Sequence, residues 1–396
     1  MNELVYPHER NLGAITLVLG LLVWAGLIIG TFGSALIFLA VGFILYLFLQ
    51  STLIAHIKGN GVELTEAQFP DLHAQFAACC DRLQIAKRPQ AYVLNGNGGL
   101  NAFATKFLGK QYVVLMSDVV DAMSKHVDGV RFYLGHELGH LRMKHLSGHL
   151  LRWPVLWLPL LGAAYSRARE STCDRHGLAC CSSPEGAARA LAALSAGAQR
   201  WQDLDVNAYR QQANHSSGFW MSFHELTAGY PWLTKRAARV LDTGAPMPRR
   251  NGFAYLLAMF IPYAGRLGGG FGLLILIYIV GVLAAIAIPA YQDYTVKAKL
   301  AEAVTTTQPV RDSLGGYFQQ NQRVPESLAA IGVPPQLANG ARLALNPDDM
   351  VLTVTTAEGE LVFSPSLDAH GRVVWRCAGG EGLKPTQLPP NCPGRK

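Results

Sequence analysis

The sequence predicts an α+β membrane protein. A transmembrane hairpin comes first, a mostly helical soluble domain with a small sheet follows, and a third transmembrane helix continues into an α/antiparallel-β domain. Half of the residues are hydrophobic and only 15% are charged, a balance typical of membrane proteins with soluble parts. Two long runs without a charged side chain, residues 12–56 and 267–290, flank the region that carries the soluble domain.

The first apolar run is about twice the roughly 20 residues that a helix needs to cross a bilayer. Gly30 to Ser34 lie in its middle, where they can turn the chain. We therefore predict a helical hairpin with crossings near residues 12–30 and 34–54. No small-residue cleavage site follows a short apolar core, so the sequence argues against a simple secretory signal.

The second apolar run, residues 267–290, is long enough to span once. Arg249, Arg250 and Arg266 precede it, and cations near a membrane end mark the cytoplasmic side. The net charge of +7 has no long Lys/Arg run behind it. We attribute this charge to membrane-flanking and surface cations and expect no nucleic-acid partner.

Three crossings place residues 1–11 and 56–250 in the cytoplasm and the chain from about residue 291 outside. Cys377 and Cys392 then lie outside, where a disulfide can form. The other five cysteines fall in the cytoplasmic part, where thiols stay reduced, and their spacing does not match a zinc ribbon. We interpret them as small buried helix residues: Cys79, Cys80, Cys173, Cys180 and Cys181.

The soluble region alternates helical and strand patterns. Residues 57–90 have apolar positions at helical spacing, with breaks at Pro70 and Pro89. Three short runs between Gly/Asn turns then predict strands: Ala91–Leu94, Asn101–Phe107 and Gln111–Met116. Helical patterns follow at 118–149, about 160–181, about 185–200 and after Pro231.

Two further apolar stretches, residues 150–161 and 253–265, are too short to span comfortably and contain prolines. We interpret both as membrane-surface or core segments.

The sequence His136-Glu137-Leu138-Gly139-His140 lies inside the helical pattern of residues 118–149. In a helix the two histidines stand one turn apart on one face, where both imidazoles can bind a single Zn²⁺. Glu137 sits beside them and can take a proton from water that the metal acidifies to a pKa of about 7. This combination predicts activation of water for attack on a peptide carbonyl.

A catalytic zinc site needs a third protein ligand and an open fourth position. Glu170 is the best candidate, and Asp174 follows one turn later on the same helix face, where a carboxylate can orient a ligating imidazole. The alternative is a surface helix with paired Arg and Glu side chains. His145 and His149 lie beyond the motif and off its register, so we interpret them as interfacial histidines and not as ligands.

Residues 56–245 resemble the HtpX and CAAX prenyl protease family of membrane zinc metallopeptidases. The resemblance lies in Asn101–Thr105, Tyr112–Leu115, the motif at His136–His140, and Ser166–Glu170 with Asp174. It implies a zincin-type (gluzincin) domain with zinc on His136, His140 and Glu170, and Glu137 as general base. It also implies cytoplasmic cleavage of membrane or misfolded proteins, as in quality control.

We also expect the strand at residues 111–116, around Val114, to bind substrate as an added β-strand, with Asn101 and Ala102 among the substrate-binding residues. The alternative is an ordinary edge strand.

The sequence departs from the family at two positions. Cys173 stands where an alanine usually precedes the aspartate. Tyr230 stands where the family has the histidine of a His-Pro motif, while Pro231 and the following Arg236 match. The resemblance implies that this histidine supports the oxyanion, and we hypothesise that the Tyr230 phenol supplies this hydrogen bond. Glu137, Tyr230 and Arg236 are thus the predicted catalytic residues.

Residues 272–396 resemble a nearly whole type IV pilin. Gly281–Tyr294 is similar to the N-terminal pilin helix, and residues 342–376 alternate like an antiparallel sheet. Trp375–Cys377 and Leu388–Cys392 resemble the C-terminal disulfide loop of pilins, which implies a bond between Cys377 and Cys392.

The pilin resemblance has one important departure. No acidic residue lies between Asn251 and Asp293, so the glutamate that pilins use in assembly is missing, as is the leader-peptidase cleavage motif. We therefore expect an uncleaved membrane anchor with a periplasmic sensing or binding head, which implies a periplasmic partner, and not a fibre subunit.

Taken together, the sequence predicts a zinc-dependent metalloendopeptidase in the inner membrane of a Gram-negative bacterium, with protein or peptide substrates and the lipid bilayer as partners. The alternative is a non-catalytic, pilin-like binding or assembly protein with a vestigial metal site. We divide the chain into a tail and transmembrane hairpin (1–55), a protease domain (56–250), an apolar, Gly-rich linker (251–271) and a pilin-like helix and domain (272–396).

Overall fold

The computed structural model describes residues 2–265, 268–380 and 382–392. It divides into two compact units, Met1–Ile277 and Tyr278–Lys396. Among the described residues, three helices are long and apolar enough to cross a membrane, and they lie at Pro7–Gly30, Ala35–Asn60 and within Gly270–Asn321. The fold is mostly helical with two small sheets, as predicted.

The first unit begins with helices α1 (Pro7–Gly30) and α2 (Ala35–Asn60), which form the predicted hairpin. Gly33 has φ +81°, and its N–H bonds to the carbonyl of Ile28, which turns the chain between the helices. Between residues 61 and 265, the described part of this unit contains ten further α-helices. They are α3 (Pro70–Arg82), α4 (Ser117–Ala122), α5 (Val127–Arg142), α6 (His149–Leu156), α7 (Leu161–Cys180), α8 (Pro184–Arg200), α9 (Val206–Gln211), α10 (Phe219–Thr227), α11 (Leu233–Leu241) and α12 (Gly252–Ala258).

A four-stranded sheet of order β1-β2-β4-β3 packs in this unit, with strands β1 (Val62–Glu63), β2 (Gln90–Leu94), β3 (Ala102–Phe107) and β4 (Lys110–Met116). The three predicted strands are confirmed, whereas the helical pattern of residues 57–90 is wrong at β1. β4 pairs in parallel with β2 and antiparallel with β3, so Val114 faces Tyr92 on one side and Phe103 on the other.

The expected role of Val114 in binding an added strand is therefore wrong. Val114 is fully buried, and both edges of β4 are already paired. The edge of the sheet on this side is β3. The N–H of Met116 bonds to the carbonyl of Asn101, so in the antiparallel register the backbone groups of Ala102 and Ala104 point away from β4.

The single helix predicted for residues 118–149 is interrupted twice, because α4 ends at Ala122 and α5 ends at Arg142. Lys144 has a left-handed φ of +57°, and the N–H of His145 bonds to the carbonyl of His140 at 2.9 Å. These two features close the C-terminal turn of α5 in the manner of a Schellman motif. The turn folds His145 back towards His140.

Helices α5 and α7 approach each other closely at glycines. A Cβ atom on Gly135 would lie 2.7 Å from Cys180 Sγ and 2.9 Å from Gly177 Cα, and one on Gly139 would lie 3.2 Å from Cys173 Cα. Only glycine leaves room for the backbone of α7 at this distance. The crossing brings the middle of α7 against the histidine-bearing face of α5.

The two short apolar stretches form helices α6 and α12 with their adjoining turns. Trp24 Nε1 on α1 donates to the carbonyl of Leu150 at 2.9 Å, so α6 lies beside the first candidate membrane helix. Leu150 and Trp153 of α6 are exposed while Val155 is buried, which fits a helix at a membrane surface.

The second unit contains the described part of α13 (Gly268–Thr306) beyond residue 277 and α14 (Gln308–Asn321). Its antiparallel sheet has strands in chain order: β5 (Arg342–Leu345), β6 (Leu352–Thr355), β7 (Glu360–Leu367) and β8 (Val373–Gly379). Leu300 and Leu314 pack with the inward side chains of this sheet. Cys377 and Cys392 form the predicted disulfide, and the other five cysteines are free.

The glycine crossing predicts the effect of adding one methyl group. Gly135→Ala should destabilise the protein by about 1–3 kcal/mol, because the new Cβ meets backbone and buried sulfur of α7 that cannot move freely. Thermal unfolding in detergent measures this difference. Gly59→Ala is the matched control, since a Cβ at this helical glycine meets nothing within 4 Å. Equal losses for both variants would contradict the packing argument.

Candidate metal centre

His136 and His140 lie one turn apart on α5, with their ring centroids 5.1 Å apart. His136 is buried and His140 is partly buried. Because the helix repeats every 3.6 residues, the two rings project from the same face, which is the face covered by α7. The spacing read from the sequence therefore produces one paired histidine site.

Glu170 on α7 faces both rings. Its Oε2 lies 3.4 Å from His136 Nε2, and its Oε1 lies 3.7 Å from His140 Nε2. Two ligand atoms about 2.0–2.1 Å from one tetrahedral zinc would lie roughly 3.3 Å apart. Oε2 is buried and has no hydrogen-bond partner within the part of the chain that the structure describes. A cation between these three side chains would satisfy that oxygen, so the residues present fit a metal ion.

The other side of His136 is held by Asp174. His136 Nδ1 donates to Asp174 Oδ1 at 3.0 Å, and Nε2 faces Glu170 on the opposite side of the ring. Arg236 on α11 donates two hydrogen bonds to the same carboxylate, Nε to Oδ2 at 2.9 Å and Nη2 to Oδ1 at 2.7 Å. Arg236 thus contacts His136 indirectly, through Asp174, and its predicted catalytic role stays a prediction.

The titration of these groups reflects a cluster that favours positive charge at its centre. Burial opposes ionisation of Glu170, yet the neighbouring His136 and His140 imidazoles lower the pKa of Glu170 to about 2. Burial likewise opposes protonation of His136, but the neighbouring Asp174 and Glu170 carboxylates raise the pKa of His136 to about 10. Against burial, Arg236 and His136 hold the pKa of Asp174 well below its usual range.

His140 differs from His136, because burial lowers the pKa of His140 well below its ordinary value. Its Nδ1 lies 3.0 Å from Nδ1 of His145, and His145 Nε2 lies 2.7 Å from Glu9 Oε1. The prediction that His145 is interfacial is wrong, since its side chain is buried between His140 and α1. The five-residue spacing after His140 was the available signal, whereas nothing local pointed to Glu9.

Cys173 offers a competing ligand. One donor atom each of His136, His140 and Cys173 lie within 4.8 Å of one another, so these residues are also placed to bind a metal. However, Cys173 Sγ lies 3.6 Å from His145 Nδ1, on the Nδ1 side of His140. Burial and the charge of Glu170 raise the pKa of Cys173 well above its usual value when no metal is present. Glu170 and Cys173 are therefore the two candidates for the third ligand.

A cavity of about 270 Å³ opens onto the histidines. Several residues predicted for the site line it together, and they are Asn101, Ala102, Glu137, Glu170, Tyr230 and Arg236. Asp174 stands behind His136 and does not line it, and Val114 lies away from it in the sheet. Residues of edge strand β3, the His136–His140 motif of α5 and Tyr230 therefore line the same cavity.

Two regions of the chain are similar to known proteins, one to a peptidase family and the other to type IV pilins. Residues 66–163 match the model of peptidase family M48. The matched segment contains His136, Glu137 and His140, and the match supports a metallopeptidase. The chain is also similar to the type IV major pilin protein PilE1 of Neisseria gonorrhoeae, 40% identical over 70 residues, which is 17% of this chain and 42% of that protein. The resemblance to the membrane metallopeptidases and the presence of a pilin-like region are both confirmed.

Two other relatives extend the second likeness. A fimbrial protein of Neisseria meningitidis serogroup B is 39% identical over 61 residues, covering 15% of this chain and 36% of that protein. Fimbrial protein EcpC of Eikenella corrodens is 26% identical over 132 residues, covering 30% of this chain and 85% of that protein. The chain thus spans about two fifths of the length of the Neisseria pilins that it matches.

The third ligand beside His136 and His140 is either Glu170 or Cys173, and the two alternatives predict different effects of substitution. Glu170→Gln should weaken Zn²⁺ binding by at least about tenfold, because it removes a charged ligand, whereas Cys173→Ala should retain the metal. Zinc content after dialysis against a fixed chelator concentration measures both variants. Loss of zinc from Cys173→Ala with retention in Glu170→Gln would instead identify the thiol as the third ligand.

Proposed function

We propose that this chain is a membrane-anchored zinc metalloendopeptidase of the zincin (gluzincin) type that cleaves membrane or misfolded proteins. The observation that carries the proposal is the approach of the two Glu170 oxygens to the histidines, with Oε2 3.4 Å from His136 Nε2 and Oε1 3.7 Å from His140 Nε2. The family match supports it independently for the α5 motif. Glu170 lies beyond the matched residues, so its assignment depends on the geometry.

His136, His140 and Glu170 would hold the metal, which when bound supplies a Lewis acid that acidifies water and polarises a carbonyl group. Three protein ligands would leave one coordination position for water or a substrate carbonyl, as catalytic zinc sites require. Asp174 and Arg236 would hold His136 in the orientation that presents Nε2 to the metal.

Glu137 performs the proton transfers in this proposal. It follows His136 on α5 and lines the same cavity, and as a carboxylate it can take a proton from water and return it to the leaving amine. Tyr230 lines the cavity as well, and its phenol O–H can donate to the oxygen that becomes negatively charged during attack. Tyr230 would then replace the histidine that the family carries at this place.

The edge of β3 is the place where we propose that a peptide binds. The outward backbone groups of Ala102 and Ala104 belong to an edge strand whose residues line the metal cavity. An extended peptide that pairs with this edge would lay its backbone beside the histidines, with affinity from main-chain hydrogen bonds and little dependence on sequence. Asn101 and Ala102 keep their predicted substrate-binding role, and β3 takes the place of β4.

We further propose that the protease unit is cytoplasmic and the pilin-like unit periplasmic, in a bacterial inner membrane. The only cysteines in the second unit form a disulfide, whereas the five in the first unit are free, which fits an oxidising and a reducing compartment. The pilin-like unit would then be a binding head for a periplasmic partner, anchored by the apolar part of α13.

A protease assay tests the proposed function. Purified full-length protein should hydrolyse casein. A chelator should abolish turnover because it removes the metal, and Glu137→Gln should abolish it because it removes the general base. Glu137→Gln should still bind zinc, since Glu137 is not a ligand.

Tyr230→Phe should lower turnover without loss of zinc, because it removes the phenol that would donate to the oxyanion. Unchanged turnover in the same assay would exclude this proposed role of Tyr230.

The same assay separates the enzyme from a non-catalytic binding protein. Equal casein hydrolysis in all samples would show that the activity does not come from this site. Zinc binding without any hydrolysis would favour the alternative of a pilin-like binding protein with a vestigial metal site.

A further inference from the structure

We propose that Glu9, in the first turn of membrane helix α1, selects the metal-binding tautomer of His140 through His145. The N-terminal anchor would then be part of the metal centre. This inference rests on the proposed function, because it takes His140 Nε2 as a metal ligand. Glu9 and His145 are positioning residues here, since neither faces the metal position.

Three side chains form a continuous path from α1 to the site. Glu9 Oε1 lies 2.7 Å from His145 Nε2, and His145 Nδ1 lies 3.0 Å from His140 Nδ1. The side chains of Glu9 and His145 are only 7% and 2% exposed, so water does not replace either contact. The rings of His140 and His145 meet edge to face, with an interplanar angle of 70°.

The positions of the hydrogens follow from what each atom can do. An ionised carboxylate only accepts, so His145 Nε2 must carry the hydrogen that it donates to Glu9. A neutral His145 then has its lone pair on Nδ1, and His140 Nδ1 must carry the hydrogen between the two rings. The lone pair of His140 is thereby placed on Nε2, the nitrogen that faces Glu170.

Contacts of the N-terminal segment with α7 fix the position of Glu9. The N–H of Tyr6 bonds to Thr172 Oγ1 at 3.0 Å, and Arg175 donates to the carbonyl of Val5 at 3.3 Å. Arg175 also lies 5.3 Å from the centre of the Tyr6 ring. Thr172 and Arg175 are on the same helix as Glu170, so the segment that carries Glu9 is attached to the helix that carries the third ligand.

Glu9 is costly for stability in this position. Its Oε2 is buried and has no hydrogen-bond partner among the residues that the structure describes. A buried carboxylate with an unsatisfied oxygen disfavours folding, and a leucine would suit both the burial and the apolar helix better. Packing therefore does not account for a glutamate at this position, whereas its contact with His145 does.

Zinc affinity tests the inference, in full-length detergent-solubilised protein with Glu137→Gln as background to prevent hydrolysis. Glu9→Leu should weaken Zn²⁺ binding about 10- to 100-fold in competition with a zinc-binding dye, as loss of a partner behind a ligating histidine does. Glu9→Gln should lose less, because its amide oxygen can still accept from His145. Glu3→Leu is the matched control on the same segment and should bind as tightly as the parent, since Glu3 is exposed.

A second variant and a second measurement separate positioning from folding. His145→Phe keeps the bulk of the ring, removes the acceptor for His140 Nδ1 and should reproduce the loss of affinity. In metal-free protein, the ¹⁵N shifts of His140 should show the Nδ1–H tautomer in the parent and a mixture in Glu9→Leu. Parental zinc affinity and an unchanged tautomer in Glu9→Leu would overturn the inference. If the parent itself bound no zinc, the proposed function would fail, and the tautomer measurement would still decide the role of Glu9.

Discussion

The close crossing of α5 and α7 is the interaction on which the candidate site depends. Gly135 and Gly139 remove the side chains that would hold the two backbones apart. The crossing places Glu170 opposite the Nε2 atoms of both histidines and Asp174 opposite Nδ1 of His136. Glu170 and Asp174, one turn apart on α7, therefore lie at opposite ends of the His136 imidazole. Any change that separates these helices would remove a candidate ligand and an orienting group at once.

The two histidines are oriented by different parts of the chain. His136 is held by Asp174, which Arg236 of α11 neutralises with two hydrogen bonds. His140 is approached by His145 and, behind it, by a glutamate of the first membrane helix. The buried carboxylates of Glu137 on α5 and Glu170 on α7 line the cavity, and a divalent cation would offset their negative charge. Candidate membrane helix α1 is thus connected to the candidate metal site by side-chain contacts.

The sequence was sufficient for features set by local patterns. The spacing of His136 and His140, the hairpin turn, the three strands and the disulfide of the second unit are confirmed because each depends on neighbouring residues or on a recognisable motif. The position of Val114 was not predictable, because the order of strands depends on the parallel pairing of β2 with β4. The contact of Glu9 with His145 spans 136 residues, and no periodicity connects them.

X-ray absorption at the zinc edge of the purified full-length protein tests the central claim most directly, because it reports the atoms bound to the metal without requiring turnover. We expect only nitrogen and oxygen neighbours at about 2.0–2.2 Å, with the outer-shell scattering of two imidazoles. A sulfur neighbour at about 2.3 Å would contradict the account, since it would place Cys173 and not Glu170 on the metal.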